Sequence, residues 1–160
     1  MVSKSEIEAA ICRAKELMTD AGIDSDVTYD DLVEWFESEV PVPDIEIGDV
    51  VLDPLLLVHE LVEINEILKM GLKLSQGTLS KNKDKIWAAH LKAIATEMLV
   101  ARRTRAFEHM RSRLGDIERC CLDSAVPANL KAGYREVLTV TTAVVSDLEK
   151  RHASRSAGDR

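Results

Sequence analysis

Residues 53–71 read DPLLLVHELVEINEILKMG. Asp53 followed by Pro54 marks a helix start. The carboxylate can accept from the first unpaired backbone N–H groups, and proline is preset for the first helical turn. Gly71 suits the stop. Positions around a helix advance by about 100° per residue. On that circle Leu56, Leu57, Leu61, Ile64, Ile67 and Leu68 fill one broad sector. Glu60 falls inside it, between Leu56 and Ile64, while Glu63 sits at its edge. His59 lies further round towards Glu66, and Asn65 and Lys69 mark the expected solvent side. A carboxylate turned into an apolar core has to be protonated, paired or bound to a metal.

The same conflict recurs downstream. Residues 83–114 are expected to form one long helix, starting at Ser80 or Asn82, with Ile86, Trp87, Ala93, Ile94, Met98 and Ala101 as its apolar sector. His90 stands at the centre of that sector. Glu97, two turns on, lies almost directly above it, and Thr104 and Glu108 continue the line. If this helix packs antiparallel to 54–70 across the 72–81 loop, Glu60 and Glu63 face His90 and Glu97.

Working outward, Ser3 with Glu6 three residues later is a capping box for a first helix that ends near Gly22. Thr28 can cap a shorter second helix, which Pro41 and Pro43 end. Residues 44–52, DIEIGDVVL, alternate briefly and are expected to be an extended linker. Gly115 marks an end or kink of the long helix, and a last helix is expected over roughly 128–150. The fold expected is all-α: a bundle of about five helices with one long central helix. It forms a single domain over 1–152, with a disordered tail at 153–160.

Composition bounds the function. Only 4% of the 160 residues are aromatic, so aliphatic side chains must fill the core. No uncharged apolar run is long enough to span a bilayer, and the N-terminal residues lack the apolar run of a signal peptide. Cys12, Cys120 and Cys121 are odd in number and lack C-x-x-C spacing, which predicts reduced thiols and a cytoplasmic location. The net charge of −7 is split: residues 1–70 carry 4 basic and 18 acidic side chains, and residues 71–160 carry 17 and 10. Either the halves attract one another or the basic part meets an anionic ligand. No nucleophile elbow, phosphate loop or dinucleotide fingerprint occurs.

Three readings of the HELVE segment follow. His59 and Glu63, at i and i+4, could ligate a metal with Glu60 as the catalytic base, by analogy with H-E-x-x-H, although the second histidine is missing. Alternatively Glu60 and Glu63 are the ligands, joined by His90 and Glu97, as helical bundles build inward-facing metal sites. Carboxylate and imidazole together suit Mg²⁺, Mn²⁺, Fe²⁺ or Zn²⁺. Third, Glu60 and His90 pair as a structural hydrogen bond without any metal. The Glu60/Glu63 spacing also resembles the first of two acidic motifs in the all-α NTP pyrophosphatases. There two helices, carrying E-x-x-E and E-x-x-D, hold Mg²⁺ against a triphosphate. The second motif has no counterpart here, because His90 and Glu97 differ in identity and spacing.

The expected function is therefore a divalent-metal-binding helical protein, with hydrolysis of a phosphate-bearing small molecule as its finer form. Glu60 and His59 would be catalytic, Glu60, Glu63, His90 and Glu97 ligating, and Arg105 an anion clamp. The alternative is a non-enzymatic interaction or scaffold protein in which the buried His and Glu are structural. A homodimer is expected from the abundance of apolar helix surface. The arginines of 102–113 keep nucleic acid as a weaker partner, since they are interleaved with a single aromatic, Phe107.

Overall fold

A computed structural model describes residues 2–38 and 46–158, and every regular element among them is an α-helix. Eight helical segments replace the five expected. They are α1 (Lys4–Asp20), α2 (Tyr29–Glu37), α3 (Ile47–Leu52), α4 (Pro54–Lys69), α5 (Gln76–Lys81), α6 (Lys83–Arg103), α7 (Phe107–Leu122) and α8 (Lys131–Gly158). The chain divides into two compact units, Met1–Val100 and Ala101–Arg160.

Local chemistry sets the helix starts. Ser3 and Glu6 form the capping box of α1, and Thr28 and Asp31 form another at α2. Asp53 accepts from the backbone N–H of Leu55 at 2.9 Å and of Leu56 at 3.3 Å, with Pro54 at the first position of α4. Three helices then stop in the same way. Gly22 (φ 77°) and Gly71 (φ 73°) take the left-handed conformation after α1 and α4. Backbone bonds run from Ile23 to the Met18 carbonyl and from Leu72 to the Ile67 carbonyl.

The third stop overturns the single long central helix. Arg105 adopts φ 59°, its N–H donates to the Arg102 carbonyl at 3.3 Å, and that of Ala106 donates to the Ala101 carbonyl at 2.8 Å. This is the glycine-type closure made without glycine, and it separates α6 from α7. Gly115, expected to mark an end or kink of the long helix, lies inside α7. Residues 47–52 are helical as well, not extended. Val50 and Val51 are buried, and α3 packs on α1 and α4. The prolines expected to end α2, Pro41 and Pro43, lie outside the described residues.

In the first unit α1, α2 and α3 all pack on α4. Leu57, Val58, Leu61, Ile64 and Ile67 of α4 are wholly buried. Each such side chain contributes about 1.5–3 kcal/mol by leaving water. The expected solvent side of α4 is also covered: Asn65 is buried, and its amide donates to the Asp24 carbonyl at 3.3 Å. Lys69 remains exposed and pairs with Glu66. A helix enclosed on most sides is the centre of its unit, so every buried polar side chain on it must find a partner inside.

The second unit is a hairpin of α7 and α8. Met110, Ile117, Tyr134, Thr141 and Val145 are buried in it, and Cys121 and Val126 are buried as well. Its ion pairs include short-range ones, Arg111 with Glu108 and Arg113 and Arg119 with Asp116, and one that links the two helices, Arg111 with Glu149. No helix among the described residues is long and apolar enough to cross a membrane.

Candidate metal centre

Helical spacing prepares the site on both helices that build it. His59 and Glu63 are four residues apart and therefore neighbours on one face of α4. His90 and Glu97 are seven apart, two turns along one face of α6. His59 reaches Glu97, and Glu63 is grouped with His90. This reversed order is what antiparallel helices produce.

His59 is the hinge of the arrangement. Its Nδ1 lies 2.8 Å from Glu97 Oε2, and its Nε2 lies 3.3 Å from Glu63 Oε2. Its ring meets that of His90 edge-on at 4.9 Å, and Trp87 stands edge-on to His90 at 5.6 Å. His59 is 4% exposed, Glu63 5% and Glu97 0%. The expected position of His59, round at the polar side, is thus replaced by deep burial. A circle drawn for one helix assumes one covered face, whereas α4 is covered on several.

Burial alone would push the His59 imidazole towards neutrality. The hydrogen bonds to Glu63 and Glu97, with the fields of Glu97 and Glu60, override it and raise its pKa to about 10. Without a metal the ring is therefore an imidazolium clamped between two carboxylates. Glu60 shows the opposite balance. Burial and the nearby Glu63 and Glu97 raise its carboxyl to about 7, against the stabilising field of His59 and a hydrogen bond from Trp35 Nε1 to Oε2 at 2.8 Å.

One ligand atom each from His59, Glu63 and His90 lie within 4.8 Å of one another, so these three residues could hold a metal ion. Tetrahedral zinc sites place neighbouring ligand atoms roughly 3.4 Å apart. Of the four ligands expected from the sequence, the structure brings Glu63 and His90 into this group. Glu97 is bonded to His59, and Glu60 to Trp35. Arg105, the expected anion clamp, is an exposed residue in the turn between α6 and α7, within the 101–160 unit.

The Trp35–Glu60 bond joins residues 25 apart, and no spacing rule links them. The burial of His59 likewise depends on how many neighbours cover α4, which the pattern of one helix does not state. Comparison with protein-family models, with curated proteins and with solved structures finds no match for this chain.

Proposed function

We propose that this protein binds a divalent metal ion through His59, Glu63 and His90 and uses the bound ion to activate water for hydrolysis. The observation that carries the reading is the convergence of two imidazoles and a carboxylate within 4.8 Å in a largely buried setting. Two nitrogens and one oxygen suit Zn²⁺, Fe²⁺ or Mn²⁺ better than Mg²⁺. Three protein ligands leave a coordination position for water, as catalytic zinc sites do. Glu60, held by Trp35 and raised to about 7, is suited to take a proton from that water near neutral pH. A divalent ion with an open position accepts a phosphate oxygen, so a phosphate-bearing small molecule remains the proposed substrate class.

Metal binding must displace a proton, because a histidine ligand is neutral and His59 is otherwise an imidazolium. Zinc affinity should therefore rise about tenfold per pH unit between pH 6 and 8, read by calorimetry on tag-free protein. Zinc should also raise the melting temperature, and Glu63→Gln and His90→Ala should each abolish that rise. Equal melting curves with zinc and with chelator would defeat the proposal.

A second reading, a metal-free structural cluster in an interaction protein, is favoured by one specific observation. No buried side-chain nitrogen or oxygen among the described residues lacks a hydrogen-bond partner. The imidazolium between two carboxylates is complete as it stands. That reading predicts the equal melting curves.

A further inference from the structure

We infer that Glu97 is a positioning residue for the metal centre, not one of its ligands: it fixes His59 in the tautomer that turns Nε2 to the ion. The inference rests on the metal-binding reading above and adds a division of labour to it. Glu97 is wholly buried, and its Oε2 lies 2.8 Å from His59 Nδ1. With Glu97 as the acceptor of this contact, Nδ1 carries the hydrogen. In a neutral imidazole the remaining lone pair then sits on Nε2. That atom faces Glu63 at 3.3 Å, and Glu63 is one of the three candidate ligands with His59 and His90.

Carboxylate, imidazole and ion in series is the arrangement by which proteins orient metal-binding histidines and raise their basicity. Here α6 supplies both ends of it, the ligand His90 and, two turns later on the same face, the positioning Glu97. The alternative, with Glu97 on the ion itself, would require the ring to turn over and Nδ1 to give up its 2.8 Å partner.

The test uses the tag-free full chain with Zn²⁺ and Co²⁺ as probes. In zinc-loaded wild type, nitrogen-15 spectra of the histidine rings should show His59 Nδ1 protonated and Nε2 bound to metal. Glu97→Gln keeps an acceptor for Nδ1–H but loses the charge. It should weaken zinc binding about tenfold and shift the visible bands of bound Co²⁺ without changing their four-coordinate intensity. Glu97→Ala removes the acceptor and should weaken binding about a hundredfold. Metal found on Nδ1, or Glu97→Gln binding zinc within twofold of wild type with unshifted Co²⁺ bands, would overturn the inference while leaving the metal site standing. No zinc binding by wild type would remove the metal reading and this one with it. If Glu97→Ala does not fold, the wild-type ring spectra and Glu97→Gln still decide.

Discussion

The two units handle the same charged side chains in opposite ways. In Met1–Val100, polar side chains sit on the most enclosed helix, and several are tied to a partner from a distant part of the sequence: His59 to Glu97, Glu60 to Trp35, Asn65 to Asp24. In Ala101–Arg160, Arg111, Arg119 and Arg151 pair mostly three or four residues away on exposed helix faces. Exposed pairs are held by water almost as well as by each other, so they contribute little. Buried ones exist only because the surrounding fold assembles every partner at once. Burial, not residue type, therefore separates a candidate site from a solvated surface here.

The sharpest way to break this contrast is to remove one buried partner. Glu97→Ala leaves the His59 imidazolium with a single carboxylate, and the metal-free first unit should lose about 3–5 kcal/mol. Both tryptophans, Trp35 and Trp87, lie in that unit, so their fluorescence in urea reports it separately. Arg111→Ala in the hairpin should change stability by less than about 0.5 kcal/mol, read by helical circular dichroism. Similar losses at the two positions would erase the distinction.

Acidity should act on the same unit. His59 is raised from 6.5 to about 10, so its stabilising charge is fully present below pH 6.5 and lost as pH rises through 10. Glu60 is raised from 4.5 to about 7, so the folded state binds its proton more tightly and loses stability as pH climbs from 4.5 through 7. Both signs agree. The tryptophan-monitored urea midpoint of the metal-free chain should fall steadily from pH 5 to pH 10, and His59→Gln should remove the portion above pH 7.

A smaller effect separates Glu60 from the cluster. Trp35→Phe deletes the indole donor and should cost about 1.5 kcal/mol at pH 8, where Glu60 is charged, and less at pH 5. Thermal melts followed by circular dichroism measure this at both pH values.

The smallest prediction concerns the turn between α6 and α7. Arg105→Gly relieves a left-handed backbone on a side chain that disfavours it, and should stabilise the chain by about 1 kcal/mol in thermal melts. That turn also shows where sequence reading stopped. Gly22 and Gly71 announced two helix ends because glycine is the usual left-handed residue. Arg105 makes the same closure with nothing in its chemistry to announce it, so 83–114 read as one helix. Caps at Ser3, Thr28 and Asp53 were legible because they depend on residues two or three positions apart. So was the presence of inward acids and His90, since periodicity gives each helix its greasy face. The burial of His59 was not, because a single-helix pattern cannot say how many neighbours cover it. The Trp35–Glu60 bond was not either, because it depends on how α2 packs across α4.

Anomalous diffraction at the zinc edge, from crystals of tag-free protein grown with Zn²⁺ at neutral pH, tests the central claim most directly. One strong peak is expected, bonded to His59 Nε2, a Glu63 oxygen and a His90 nitrogen, with Glu97 still on His59 Nδ1. Absence of a peak there, with His59 remaining clamped between Glu63 and Glu97, would contradict it.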